Sequence, residues 1–269
     1  MKVKGVDHYG AAYGHFASDL HARIRAEAFG EDFGQNGWQT AEEQDLFVDH
    51  LRLDAESRLL DIACGAGGPT LRIARQTGCH VHGVDAHEQA IAEARARSDR
   101  EGLAGRAAFE RLDASRPLPF PDATFDGLIC IDAINHLPDR PRILAEWARV
   151  LRPGGRLVFT DPIVVTGMLT NEEMTIRSSI GFFLFVPEGV DDRLLEEAGF
   201  AIAQRLDRTE NMARMADRRR LARAAHEADL RHIEGDATFE GQQRFFETAA
   251  RLAAERRLSR FAFMAVRRP

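Results

Sequence analysis

Between residues 55 and 165 the apolar positions fall into short compact runs that alternate with longer stretches of helical spacing. Ser57 to Ala63, His80 to Val84, Ala107 to Leu112 and Phe125 to Ala133 read as strands, the first and last of them clearly buried. The segments PTLRIARQTG and EQAIAEARARSDREG place apolar residues on one helical face, and RPRILAEWARVLRPGG is a helix that stops at Pro153-Gly154-Gly155. Arg156 to Val165 is the next strand. Strands and helices in this alternation predict right-handed crossovers and a parallel sheet.

Beyond Val165 the rhythm breaks. Residues 167–190 mix polar and aromatic groups without a period, DDRLLEEAGF predicts a short helix, and FAIAQRLD and LSRFAFMAV predict strands. The charged, alanine-rich residues 212–256 predict two helices interrupted at Gly235 and Gly241. The first 50 residues read as helical cover. The pattern predicts one domain, with cover over 1–54, a ligand-binding core over 55–165, and a lid, helical lobe and last strands over 166–269.

Composition narrows the function. The 269 residues, 44% of them hydrophobic, suffice for one packed core, and a net charge of -6 weighs against nucleic acid as a partner. Cys64, Cys79 and Cys130 form no CxxC pair, which argues against a disulfide framework or a zinc site. No apolar stretch matches a secretion signal or a bilayer span, so the expectation is a soluble cytoplasmic protein without membrane contact or bound metal.

The sharpest signal is LLDIACGAGGPT, residues 59–70, where an apolar strand collapses into glycines. A Walker loop requires GxxxxGK[ST], and no lysine follows these glycines. A dinucleotide loop requires GxGxxG, but counting from Gly65 and Gly67 the third position is Thr70. Asp61, at the strand end, suits an ammonium group instead. Asp85, about 20 residues past the glycines, can accept from ribose hydroxyls, and Asp113 can accept from an adenine amino group. Singly, each acid reads as well as a helix cap or turn residue. Together they point to a nucleoside carrying an amino acid at the sheet's carboxyl edge.

LLDIACGAGG, VD at 84–85, LDA at 112–114, LPFPDATFDGLIC and ILAEWARVLRPGGRLVFTD, in that order, resemble the class I S-adenosylmethionine-dependent methyltransferases. The likeness is to the small-molecule branch, with its sugar O-methyltransferases and its glycine, sarcosine and phosphobase N-methyltransferases. It implies an α/β, Rossmann-like, seven-stranded and mostly parallel sheet with an antiparallel last strand, a helical N-terminal cover and an inserted substrate lid. It implies S-adenosylmethionine as cofactor, with Asp61, Ala63, Gly65 and Gly67 at the methionine part, Asp85 and Ala86 at the ribose, and Asp113, Ala114 and Ile131 at the adenine side. The family usually has glycine at Ala63, and alanine is tolerated there if its φ stays negative. EDFGQNGW resembles a cofactor-covering segment, which would put Trp38 and Tyr13 near the ligand; Trp38 reads equally as a pin for the N-terminal helix.

Methyl transfer asks for an aligned acceptor and a base. His136, in IDAINHLPD after the fourth strand, is the candidate base, its alternative being a turn histidine before Pro138. Asp161 is its candidate partner, or else caps the loop before Pro162. Asn135 would orient substrate, and Phe182, Phe183 and Phe185, with Met168 and Met174, would wall the acceptor pocket or simply pack the lid. His80, His82, His226 and His232 read as bland, Arg218 to Arg220 with Arg223 as a solvated face, and Cys64 as no nucleophile. The predicted activity is methyl transfer to nitrogen or oxygen of a small metabolite, by a monomer or homodimer. A nucleic-acid methyltransferase and a non-catalytic S-adenosylmethionine-binding regulatory module are the alternatives.

Overall fold

The computed structural model describes residue 16 and residues 18–269; Tyr13 lies outside the described residues. Two helices come first, α1 (Asp19–Phe29) and α2 (Ala41–Leu51), each opened by a hydroxyl that caps a backbone N–H: Ser18 caps His21 and Thr40 caps Glu43. The alternating core follows as β1 (Arg58–Ile62), α3 (Gly68–Thr77), β2 (His80–Asp85), α4 (Glu88–Arg100), β3 (Ala107–Arg111), β4 (Phe125–Cys130), α5 (Arg140–Val150) and β5 (Leu151–Val165). The remainder is α6 (Asn171–Arg177), β6 (Val186–Pro187), α7 (Val190–Glu197), β7 (Phe200–Asp207), α8 (Thr209–Ala225), α9 (Glu227–Glu234), α10 (Asp236–Ala254) and β8 (Leu258–Arg267).

The strands form one sheet in the order β3-β2-β1-β4-β5-β8-β7. Pairing is parallel from β3 to β5 and antiparallel where β8 meets β5 and β7. The predicted seven strands are this path, and LSRFAFMAV is indeed antiparallel. The two-residue β6 adds an eighth strand beside β5. One face of the sheet is sealed by Leu60, Leu128, Trp147, Phe159 and Phe263, and the other by Phe47, Leu59, Ile73, Val81 and Val158. A separate apolar core, with Ile24, Phe29, Trp38, Met212, Phe245 and Phe246, joins α1 to α8 and α10.

Two sequence expectations shift. Pro153-Gly154-Gly155 lies within β5, where Phe125 pairs with Leu151 but Gly127 pairs with Arg156, so the intervening residues bulge out of the ladder. The charged segment makes three helices, broken at His226 and at Gly235, while Gly241 sits inside α10. Gly235 has φ 82° and stops α9. Gly241 adopts ordinary helix geometry, and the buried Phe239, Phe245, Phe246 and Ala249 on the same helix hold it in register.

Candidate active site

Strand order reverses between β1 and β4, and a crevice opens there at the carboxyl ends of the strands, where open α/β sheets bind ligands. It holds a cavity of about 630 Å³, lined among others by Asp61, Ala63, Gly65, Asp85, Ala86, Asp113, Ala114, Ile131 and His136. Residues drawn from separate parts of the sequence therefore share one space.

The electrostatics of that space are one-sided. Its described lining includes Asp61, Asp85, Asp113 and Asp132, and neither lysine nor arginine. Asp61 is 4% exposed and accepts from the Thr70 hydroxyl. Burial pushes its carboxyl up to about 7, with the nearby Asp85 charge adding to the effect. Asp85 Oδ2 accepts only the Gly65 N–H, at 3.0 Å, and keeps capacity to spare, while Oδ1 meets both the His87 N–H at 2.9 Å and the His87 ring Nδ1 at 3.1 Å. Asp113 is half exposed and held below the ordinary carboxylate range, chiefly by the Ser115 hydroxyl at 2.6 Å. A pyrophosphate would meet only like charge here. An ammonium or sulfonium with a nucleoside attached would relieve the buried carboxylates, so the residues present fit S-adenosylmethionine.

The glycine turn corrects two expectations. Ala63 has φ 60°, not a negative value, and sits in the left-handed region that favours glycine. Gly67 does not line the cavity: its φ is 74°, and a Cβ there would come within 2.8 Å of Ala94 and 2.9 Å of the Phe109 ring. It seats α3 against α4 and β3. Cys64 is buried, which pushes its thiol well above the ordinary range and leaves it inert.

The EDFGQNGW segment does cover the cavity, through Gly34, Gln35, Asn36, Gly37 and Gln39. Trp38 itself turns away from the cofactor side and packs with Ile24 and Phe29 of α1, in keeping with its alternative reading as a pin for the N-terminal helix. Its ring lies 6.4 Å from Phe245 and 6.1 Å from Phe246, in the wall of an adjoining cavity of about 330 Å³. Asn36, Gly37, Asp132, His136 and Ile180 line both cavities and form the junction between them.

His136 stands at that junction. Its Nδ1 donates to the Phe182 carbonyl at 2.8 Å, so a neutral ring carries its lone pair on Nε2, 3.3 Å from the Asn135 amide. Burial lowers its pKa below the usual histidine value. Asn135 and Phe183 line the second cavity and Phe182 the first, whereas Phe185 packs in the lid beside Ile163, Leu252 and Leu258. Met168 is 89% exposed and Met174 lines neither cavity. Phe185, Met168 and Met174 thus leave the acceptor wall.

Asp161 is corrected more sharply. It is 0% exposed, lines neither cavity, and lies 2.5 Å from the Arg140 guanidinium, which meets Asp191 at the same distance. This buried triad ties β5, α5 and α7 together, and Asp161 Oδ1 also accepts the Ile163 N–H at 3.0 Å, in keeping with its alternative reading as a cap of the loop at Pro162.

Asp132 escaped the sequence reading although it sits inside IDAINHLPD. At φ 54° it turns back from β4, and its carboxylate accepts from Trp38 N, Thr160 Oγ1 and Arg260 Nε. Arg260 is 0% exposed and also holds Glu43, which in turn meets Arg208. The acid immediately after the fourth strand was the available signal. Its partners lie 94 and 128 residues away, beyond any local pattern.

Comparison with known proteins agrees with this geometry. Residues 60–159 match the family described as "Methyltransferase domain". The 27-O-demethylrifamycin SV methyltransferase of Amycolatopsis mediterranei is 36% identical over 156 residues, 55% of this chain and 57% of that protein. O-methyltransferase rstn1 of Aspergillus nomiae is 32% identical over 151 residues, 56% of this chain and 67% of that one. The chain spans about half the length of the first curated relatives it matches. Among solved structures, Haemonchus contortus phosphoethanolamine N-methyltransferase 2 superposes with a TM-score of 0.81 at 21% identity, over 99% of this chain and 61% of that one.

Proposed function

Because this chain belongs to the S-adenosylmethionine-dependent methyltransferases, we propose that it transfers the methyl group of that cofactor to a nitrogen or oxygen of a small-molecule metabolite. The observation that carries the reading is the larger cavity itself, lined by buried carboxylates and by no lysine or arginine among its described residues, beside a smaller aromatic cavity that shares His136. In this reading Asp61 takes the cofactor's amino group, Asp85 its ribose hydroxyls, and Asp113 with Ala114 its adenine edge, while Ala63, Gly65, Ala86 and Ile131 supply backbone and apolar wall. When bound, the cofactor supplies a methyl group on a sulfonium, a carbon already activated for displacement. The chain's own work is alignment, exclusion of water and removal of a proton. His136 Nε2 would take the acceptor's proton as the acceptor meets the methyl group that the bound cofactor would supply.

Among the described residues no helix is long and apolar enough to cross a membrane, and the three cysteines are buried thiols, which suits a reducing cytoplasm. The test has two stages. Calorimetry should show binding of S-adenosylmethionine and of its demethylated product, and radiolabelled methyl should pass to pooled small metabolites and not to RNA. Absence of binding removes the reading. His136→Ala should lower turnover by about 10² or more with cofactor affinity unchanged, as loss of a general base does.

A further inference from the structure

The two adjoining cavities differ in charge. The larger is acidic, while the smaller carries Arg25, Arg177, Arg219 and Arg223 on its wall against the acids Asp132 and Glu234. Arg25 is paired with Asp32 and Arg223 with Glu234, while Asp132 meets Arg260. The smaller cavity is also built of rings, chiefly Phe29, Trp38, Phe183, Phe245 and Phe246. Aromatic walls of this kind serve either a cation held over the ring faces or an apolar ring stacked among them.

The ring faces decide between the two. The Arg177 guanidinium lies 4.4 Å from the Phe245 centroid and 5.9 Å from Trp38, and that of Arg219 lies 4.6 Å from Phe246 and 5.6 Å from Trp38. The faces of these rings are therefore already met by the protein's own cations, and an ammonium acceptor would have to compete with them for the rings. A neutral or anionic ring meets no such penalty.

A second observation specifies a polar handle. Asn135 is 1% exposed, lines this cavity, and its side-chain oxygen has no hydrogen-bond partner among the described residues. A buried carbonyl oxygen without a donor calls for an O–H or N–H from whatever fills the space. It stands next to His136, at the junction with the larger cavity.

We propose that the smaller cavity is the acceptor site and that it takes a neutral or anionic ring-bearing hydroxyl compound, such as a phenol or enol, and not a cationic amine. The reacting hydroxyl donates to Asn135 Oδ1 on binding and, as its oxygen takes the methyl group, gives that one proton to His136 Nε2. The proposal rests on reading the larger cavity as the cofactor site, and narrows the acceptor atom to oxygen.

The test uses the full chain with umbelliferone and naphthol as probes, against ethanolamine, glycine and dimethylethanolamine. Binding is read from umbelliferone fluorescence and tryptophan quenching, and turnover from release of the demethylated cofactor. The ring hydroxyls should bind and be methylated, and the amines should do neither. Phe246→Leu and Asn135→Ala should each weaken umbelliferone binding about tenfold or more, with cofactor affinity by calorimetry unchanged. Failure of both ring probes to bind, or methylation of an amine in preference to them, overturns the proposal even when the cofactor binds. Loss of cofactor binding in the unaltered chain would instead fail the broader reading.

Discussion

The Asp132 carboxylate accepts the Trp38 backbone N–H at 2.7 Å, so the segment that covers the larger cavity is bolted to the end of β4. The same carboxylate meets Arg260, and a side chain at Gly37 would run into it. Cover, sheet and last strand therefore converge on one acid.

Removing that acid should release all three. Asp132→Ala leaves Arg260 buried with Glu43 alone and should cost about 3–5 kcal/mol, the usual penalty for breaking a buried ion pair from one side. Urea unfolding measures it. Cofactor affinity should fall as well, because the cover loses its anchor. An unchanged midpoint would show that the network is not cooperative.

Asp61 should make cofactor binding a proton-linked event. Its folded pKa of about 7 exceeds the unfolded carboxylate value near 4, so between them the folded state holds the extra proton. Stability of the empty protein should fall as pH rises through that window, by at most about 1.4 kcal/mol per unit. A cation beside Asp61 favours its ionised form, so binding should release protons near pH 6 to 7, on the order of one per site, and tighten as pH rises. Calorimetry in buffers of different ionisation enthalpy counts the protons. Asp61→Asn should abolish the release and weaken the cofactor.

Ala63 offers a gain in stability. At φ 60° alanine bears about 1–2 kcal/mol that glycine does not. Glycine gives back about 0.4–1 kcal/mol through its freer unfolded chain. Ala63→Gly should therefore raise the melting temperature slightly or leave it level, and a clear drop would show that the Ala63 methyl group contributes packing that outweighs the backbone strain.

What the sequence revealed about this site follows from how locally each feature is encoded. Asp61, Gly65, Asp85 and Asp113 stand at strand ends, and a strand end is legible from a few neighbouring residues; all four line one cavity. Gly67 has the right spacing but a different task, because only the packing of Ala94 and Phe109 shows what its missing Cβ permits. Trp38 and Asp161 each carried two readings, and the local sequence could not choose between them because their surroundings come from distant segments, Phe245 and Phe246 for one, Arg140 and Asp191 for the other. The parallel core followed from the alternation of strand and helix, while the break at His226 did not, since no glycine or proline marks it.

The Arg140 triad should behave as structure and not as catalyst. Arg140 is 2% exposed and lies between two buried carboxylates, and Arg140→Met should destabilise the fold by about 3–5 kcal/mol. Asp161→Asn keeps an oxygen beside the guanidinium and should leave turnover within a few fold. A collapse of turnover with an intact melting temperature would return Asp161 to the chemistry.

His136 gives the sharpest pH signature. Burial is the main cause of its lowered pKa, outweighing the Phe182 carbonyl, which favours the charged ring. A base must be neutral to take a proton, so turnover should rise with pH along a limb centred below the usual histidine value of about 6.5 and then level off. The linkage has the same sign in stability: below about pH 6.5 the unfolded chain binds a proton that the folded ring resists, so the fold weakens as pH falls toward the folded pKa. His136→Gln should remove the limb from the rate profile, and with it this residue's share of the acid destabilisation. If the limb persists in that variant, the proton goes to some other group and His136 is only a turn residue bonded to Phe182.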